Sequence, residues 1–499
     1  MSSEKPSVLI LGGINTVARH LAVFLCGRQE REAGDPKVKY LRIVDKYSVQ
    51  PATTYLDPDF RKCLADFPEM VEYRQLNLTV KAKVEEAFSV EGKDVERFDY
   101  VFDLTGETRY DRPEIIHIQQ TYTLPLTLAK HAASLPTSLR PRAYIRLTFP
   151  FYEMKSSSTG YPETFGDDKK KKGFFGNDTE GGMRSDGVRG RWWHEAVRAI
   201  GAEGTLPLVV LRVGEIYGEG YCDQSQVLGR LVVGHIYQYS KEEMKFLYNP
   251  DLRMHTIHVH DAARALFTAA QWMSGLDGRT AANRLAGVAV PNAWYRAEGQ
   301  VPSGDVGLLD KDAKVVVPCF NLVDQADTTQ DTLARSIAAL YKIKYGFHGS
   351  IVSSLVSQFQ KMDFNEMVDD VNEDHMEIWH KMLESSNPPI LDTPISPYLD
   401  DHAFRKMATN LDGKKFRNLT GFKLLYPKVE TKSLEAVVTK FQQEGIWAHS
   451  LFTAAVSGIL MTPEILRLMP KTGGSYLNDM TKVEEAVEVD RQHVATRGI

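Results

Sequence analysis

The sequence predicts an α/β protein: a doubly wound parallel sheet with a smaller, mixed, helix-rich C-terminal domain. Two observations carry this reading. Short apolar runs bounded by turn residues alternate with segments of helical period, the pattern of βαβ units. The first of these runs also ends in a glycine pair that leads straight into a helix. A chain of 499 residues has room for two or three structural units of about 100–200 residues each. Its apolar share of 43% and charged share of 25% place it among soluble globular proteins. A net charge of −5 gives no electrostatic reason to expect nucleic acid or an anionic membrane as partner.

The elements follow in order. Val8–Leu11 is a buried strand closed by Gly12-Gly13, and Ala18–Arg28 a helix with Leu21, Ala22, Leu25 and Cys26 on one face. Tyr40–Val44 is the second strand, ending at Asp45, and Val71–Leu76 the third, with a helix around Val84–Phe88. Tyr100–Leu104 is the fourth strand, and Ile115–Ala133 a long helix kinked at Pro125. Ala143–Thr148 is the fifth strand, Trp192–Ile200 a helix and Leu208–Val213 the sixth strand.

Between the fifth strand and its helix, residues 155–187 are rich in Ser, Gly, Asp and Lys and read as a solvated loop. Residues 1–345 form the first domain and 346–449 a C-terminal region with helices at Met362–Glu373, His375–Leu383 and Ser433–Glu444. Residues 450–499 read as an appended helix or tail. Cys26, Cys63, Cys222 and Cys319 form no C-x-x-C pair, which fits reduced thiols and a cytoplasmic protein. The apolar stretch at Val8 is too short for a signal peptide, and no apolar run reaches the roughly 18–20 residues of a membrane span.

The turn Gly12-Gly13-Ile14-Asn15-Thr16-Val17-Ala18 lies where a dinucleotide's diphosphate meets free backbone N–H groups and the positive end of a helix. Gly12 permits the tight turn, Asn15 tolerates unusual backbone angles and Ala18 allows close packing. Asp45, at the end of the second strand, can accept both ribose hydroxyls of adenosine and would repel a 2′-phosphate. The cofactor expected is therefore NAD, with NADP left open by the adjacent Lys46.

Further segments resemble the extended short-chain dehydrogenase superfamily, the NAD-dependent epimerase/dehydratase type with a Rossmann fold, in a divergent, fungal-like group. Phe98–Gly106 resembles its fourth strand, with Leu104, Thr105 and Gly106 at the cofactor. Leu211-Arg212-Val213-Gly214-Glu215-Ile216-Tyr217-Gly218-Glu219-Gly220 is similar to the family's L-R-x-x-x-x-Y-G-P-G. Thr256-Ile257-His258-Val259-His260-Asp261-Ala262-Ala263-Arg264-Ala265 resembles F-I-H-V-D-D-V-A-x-A, and Phe320–Val323 a late Y-N-I-G strand. The resemblance covers roughly Pro6–Tyr345, with a weaker echo at Leu419–Lys423.

The resemblance implies a Tyr that moves the substrate proton, a Lys one helical turn later that lowers the Tyr pKa and holds the ribose, and a Ser or Thr closing the fifth strand. Phe151-Tyr152-Glu153 resembles the family's V-Y-G, which puts Thr148 at the Ser/Thr position. His194-Glu195 resembles its A-E, which puts Arg191 at the Lys position and Gly187 at the Tyr position. Glycine transfers no proton, so the usual relay is missing. Tyr237–Lys241 satisfies Y-x-x-x-K after the sixth strand and reads as a chance match.

Glu107, Arg109 and Tyr110 follow the fourth strand at its carboxyl end, where α/β sheets bind ligands, and are substitute candidates with Tyr152 and His194. Glu107 with Arg109 also reads as a local ion pair. Arg109, Tyr110 and Glu215 are the expected substrate contacts. Of the adjacent Trp192 and Trp193, one is expected in the core and the other at a homodimer interface. His255, His258 and His260 crowd one strand-like segment with no Cys or further ligand nearby, so no metal is expected. Two readings stay open: an oxidoreductase or epimerase acting on a small carbonyl or nucleotide-linked substrate with a non-standard acid/base, or a non-catalytic dinucleotide sensor or scaffold.

Overall fold

The computed structural model describes residues 4–154, 156, 160–165, 184–223, 225–292, 307–348, 365–399 and 406–449. Most of the expected 155–187 loop and all of the expected tail at 450–499 lie outside them.

The chain opens with β1 (Ser7–Leu11), α1 (Ala18–Leu25), β2 (Tyr40–Asp45), α2 (Pro58–Asp66), β3 (Val71–Gln75), α3 (Lys81–Phe88) and β4 (Tyr100–Asp103). After α4 (Glu114–Ile116) comes a wide π-helical segment, His117–Thr123, then α5 (Leu124–Ser134) and β5 (Ala143–Thr148). A small hairpin, β6 (Tyr152–Glu153) with β7 (Arg184–Ser185), precedes α6 (Gly187–Gly201) and β8 (Leu208–Val213). Next are β9 (Glu215–Tyr217), α7 (Gln226–Ser240), β10 (Met244–Phe246), β11 (Thr256–His258) and α8 (Val259–Ser274). The body closes with α9 (Gly278–Ala286), β12 (Gly287–Ala289), β13 (Val316–Leu322), α10 (Gln330–Tyr341) and β14 (Tyr345–Phe347).

Eight strands form the central sheet in the order β12-β13-β8-β5-β4-β1-β2-β3. All neighbours are parallel except the β12–β13 edge pair. The order reverses at β1/β4, the switch point that opens a crevice at the carboxyl edge. This is a doubly wound Rossmann sheet. Its inner strands are buried on both faces, which is why they read as unbroken apolar runs rather than alternations. One apolar core lies under α1, α8 and α9 and a second under α3, α5 and α6.

A third core joins Val227–Ile236 of α7 and Leu333–Tyr341 of α10 to Trp379, Leu383, Leu434–Phe441 and Trp447. The expected boundary at 345 falls at the start of β14, which pairs with β10, and this core draws on residues from both sides of it. No helix among the described residues is long and apolar enough to cross a membrane.

Three expectations change. The single helix over Ile115–Ala133 is interrupted earlier than Pro125: His117–Thr123 widens into a π-helix, and Pro125 sits in the first turn of α5, where its missing N–H costs nothing. The two helices expected at Met362–Glu373 and His375–Leu383 are one helix, Asn365–Glu384, because no Gly or Pro interrupts it. The segment around His255–Ala265 is a strand end running directly into α8, with His258 as its N-cap.

Candidate functional site

At the glycine turn, Gly12 and Gly13 both take positive φ, +69° and +75°. A β-carbon at Gly12 would lie 2.7 Å from Thr105 Cγ2, and one at Gly13 would lie 2.6 Å from Leu104 Cβ. The turn thus presses directly on the end of β4, and the two expected cofactor segments, Gly12–Ala18 and Leu104–Gly106, meet. Val17 is the N-cap of α1 and offers no side-chain cap, and the first turn carries no acidic residue. That leaves the positive helix end to an anion. Thr16 Oγ1 and the Thr16 and Ala18 N–H groups bond the Gly13 carbonyl, closing the turn on itself.

Asp45 is 5% exposed and faces inward. Oδ2 accepts from the Ile14 N–H at 3.1 Å, while Oδ1 accepts from Lys46 at 2.6 Å and Tyr47 at 3.4 Å. A carboxylate offers about four lone-pair sites. With three engaged, capacity remains for one ribose hydroxyl rather than the two expected from sequence.

Beneath the crevice lies a buried polar knot. Arg146 Nη1 donates to Asp103 Oδ1 at 2.8 Å and to the Thr105 carbonyl at 2.7 Å. Its guanidinium stacks 4.9 Å from the Trp193 ring centroid. Trp193 Nε1 donates to the Glu107 carbonyl, and its ring fills the space beside Gly106, where a β-carbon would come within 2.5 Å. Trp192 is fully buried, packing on Tyr122 and donating to Glu114. Both indoles are therefore interior, and neither supplies the interface aromatic expected for a dimer.

A cavity of about 600 Å³ opens along the same carboxyl edge. Arg109, Phe151, Arg189, Glu215, Arg230 and His375 are among its walls. Burial raises the Glu215 carboxyl, offset in part by the Thr409 hydroxyl and by Arg230 and Arg189. Burial lowers Arg230 to about 10, against the pull of Glu215. Arg189 Nη1 donates to the Thr108 carbonyl at 2.8 Å, and its guanidinium lies over Phe151 at 3.8 Å and over Tyr110 at 5.3 Å.

The candidates separate clearly on this geometry. Glu107 and Arg109 do not form the expected side-chain pair: Glu107 Oε1 accepts the Arg109 backbone N–H at 2.9 Å, while Arg109 pairs with Asp111 at 2.7 Å. Arg189 lines the cavity, and Arg191, expected at the cofactor ribose, lies about 200° around α6 from it. Thr148 ends β5 and is buried.

Tyr152 is buried and bonds His194 Nδ1 at 3.2 Å, and His194 Nε2 donates to the Pro291 carbonyl at 2.6 Å. Because a carbonyl only accepts, the ring proton sits on Nε2 and Tyr152 donates. Burial pushes the Tyr152 phenol up and the His194 imidazole down, so the pair stays neutral. Tyr237 sits on the cavity wall in α7, whereas Lys241 caps the helix in left-handed conformation.

Tyr110 stands apart. Its hydroxyl lies 3.6 Å from the point that a β-carbon on Gly187 would occupy. The phenol from the β4 loop thus borders the space vacated at the position where the resemblance expects a tyrosine. Gly187 itself has φ +58°, the helix start being wound in a conformation that suits glycine.

Sequence reasoning did not find Arg189 or His117. Helical phase counted from a fixed register could have found Arg189. His117 opens the π-helical segment, is fully buried and has neither ring nitrogen hydrogen-bonded. Burial lowers its pKa, with the charges of Glu107 and Arg189 acting on it. A π-bulge holding an unsatisfied histidine is a common mark of a functional position, and nothing in the local pattern announces it.

No protein-family model matches the chain, and no curated protein matches it either. Solved structures similar to it include MoeE5 in complex with UDP-glucose and NAD, at 12% identity and TM-score 0.48, covering 88% of this chain and 99% of that one. The Bordetella bronchiseptica enzyme WbmF in complex with NADH is similar at 13% identity and TM-score 0.45, over 91% of this chain and 94% of its own. A UDP-galactose 4-epimerase is similar at 11% identity and TM-score 0.47, over 88% and 100%. The fold assignment rests on the strand order given above.

Proposed function

We propose that this chain binds NAD at the β1/β4 switch point and acts as an oxidoreductase or epimerase on a carbonyl or nucleotide-linked substrate held in the neighbouring cavity. The observation that carries the reading is the Tyr110 hydroxyl beside Gly187, with the Arg189 cation over its ring and Arg189 itself lining the cavity on the sheet's carboxyl edge. The uncapped end of α1 fits a diphosphate, and Asp45 fits one ribose hydroxyl. The cofactor's own contribution is to accept or return a hydride.

Tyr110 is the group that takes or gives the substrate's hydroxyl proton. A phenol serves as a base near neutral pH only with a cation beside it, and Arg189, itself paired with Asp186 at 3.5 Å, is the cation over the Tyr110 ring. Thr148 orients the substrate oxygen from the end of β5. Arg109, Glu215 and Arg230 recognise polar or anionic substrate groups, while Phe149 and Phe151 exclude water.

The test pairs calorimetry with single-turnover kinetics on a panel of sugar nucleotides and carbonyls. Tyr110→Phe should leave NAD affinity unchanged and lower turnover by about 10²–10⁴. Unchanged turnover in that variant would remove Tyr110 from the mechanism. NAD binding with no turnover on any substrate would favour the second reading, a dinucleotide sensor or scaffold, for which the inward-facing Asp45 and Gly187 speak.

A further inference from the structure

We propose that Glu219, His258 and His260, joined by His20, form a binding site for a divalent first-row transition cation of the zinc type. The proposal is independent of the dinucleotide reading. Three side chains come together here: Glu219 from the loop after β9, His258 from the end of β11 and His260 from the first turn of α8. Their ligand atoms all lie within 4.8 Å of one another.

The internal geometry favours convergence on a third point over a plain ion pair. Glu219 Oε2 and His258 Nε2 are 2.9 Å apart. The contact is an ion pair that lowers the Glu219 carboxyl, yet neither atom meets the angular requirement of a good hydrogen bond. Two ligands of one ion behave in this way, since both direct their lone pairs at the metal. A second, independent observation comes from α1. His20 is 6% exposed, and its Nε2 is buried with no hydrogen-bond partner. Its ring centroid lies 6.1 Å from that of His260, and its Cε1 lies 3.3 Å from where a β-carbon on Gly220 would stand.

The surroundings are built as an outer shell. Tyr426 stacks on His258 with centroids 3.5 Å apart and planes at 7°, and its hydroxyl meets His260 Nδ1 at 3.5 Å. A contact at Nδ1 leaves the other ring nitrogen of His260 to serve as ligand. Gly218 keeps the approach to His258 open, since a β-carbon there would lie 2.9 Å from Nε2. Glu219 sits between Gly218 at φ +137° and Gly220 at φ +74°, a backbone that only glycines hold comfortably.

Zn–N distances of about 2.0–2.1 Å set tetrahedral ligands roughly 3.3 Å apart, so closure requires side-chain shifts of about 1 Å. His258 Nδ1 accepts a 3.2 Å bond from the His260 N–H. Coordination through Nε2 moves the ring proton to Nδ1, so the His260 N–H loses this acceptor and the ring turns away from it as the ion binds. Glu219 and His260 are also the positions where the segments resembling Y-G-P-G and I-H-V-D-D depart from those patterns. Two histidines and a carboxylate form a common zinc donor set, and His20, which lies outside that cluster, would have to move in to take the fourth position.

The experiment titrates the full chain, stripped by chelator, with Zn²⁺ and with Co²⁺ as optical probe. The expected result is one equivalent bound, with visible Co²⁺ absorption of tetrahedral strength. Glu219→Gln, which preserves shape, should weaken Zn²⁺ binding beyond the about 10–100-fold typical of an outer-shell contact. His260→Ala should do the same, and His20→Ala should retain an ion but change the Co²⁺ spectrum. His255→Ala serves as the neighbouring control with binding unchanged. Circular dichroism of each metal-free variant establishes that it is folded. Folded wild-type chain that binds no equivalent, or a folded Glu219→Gln variant that binds as tightly as wild type, would overturn the site.

Discussion

The glycine-turn side of the sheet and its cavity side use different means to shape a ligand site. On the turn side, between β1, α1 and β2, the determinants are backbone ones: two glycines at positive φ, an uncapped helix and a carboxylate bonded to three nearby N–H groups. On the cavity side, the determinants are side chains drawn from segments as far apart as Arg109, Arg189, Arg230 and His375. Backbone determinants are local in sequence and change little when one residue does. Convergent side chains can be relocated: under the proposed reading the phenol comes from the β4 loop and the cation from another face of α6.

The comparison can be broken where the two sides join. Asp103 receives Arg146, Tyr144 and Thr105 in the buried knot. Asp103→Ala leaves Arg146 buried and unpaired, and urea unfolding should show a loss of about 3–5 kcal/mol. A smaller value would mean that the knot is hydrated and the two sides are not rigidly coupled.

A pH effect tests the third core, which backs the cavity. His235 accepts from Trp447 Nε1 at 2.9 Å and stacks on Tyr341, and burial lowers its pKa from 6.5 to about 4. With the folded pKa depressed, the unfolded chain binds the proton first as pH falls. Stability should therefore be intact above about 6.5 and fall by about 3 kcal/mol as pH drops to about 4. Thermal melts of His235→Gln across that range should show this contribution removed.

Gly12→Ala sharpens the turn side. A left-handed backbone costs about 1–2 kcal/mol for a residue with a β-carbon, and contact with Thr105 adds roughly 1 kcal/mol or more. Equilibrium unfolding should register about 2–3 kcal/mol, with NAD binding weakened at the same time. The smallest effect belongs to the exposed rim. Asp327 is 57% exposed and pairs with Arg253 at 2.7 Å, so Asp327→Asn should shift stability by no more than about 1 kcal/mol. A larger loss would show that this ion pair belongs to the structural frame.

The same contrast explains what could be read in advance. β5 (Ala143–Thr148) and β8 (Leu208–Val213) were legible to the residue, because strands covered on both faces are written as closed apolar runs with turn residues at their ends. Gly12–Ala18 was legible because a strand-turn-helix needs glycine at fixed places. The orientation of Asp45 was not, since nothing in the residues after β2 says that its carboxylate will fold back on Ile14. Arg189 was not legible, because the count from His194-Glu195 leads to Arg191. Two residues turn a helix almost half round, and no periodicity says which of them faces the cavity. Glu219 escaped notice beside His258 and His260 because 39 residues of chain separate it from the nearer of them, and only the β9–β11 pairing closes that gap.

Arg189 has one further consequence. The same guanidinium that covers the Tyr110 ring also ties down the Thr108 carbonyl at 2.8 Å. A ligand carrying negative charge would compete with Asp186 for that cation, and drawing it inward would loosen the segment that carries the phenol. A neutral ligand leaves the latch fastened. Amide hydrogen exchange around Thr108 is therefore expected to quicken with an anionic ligand and to stay unchanged with a neutral one.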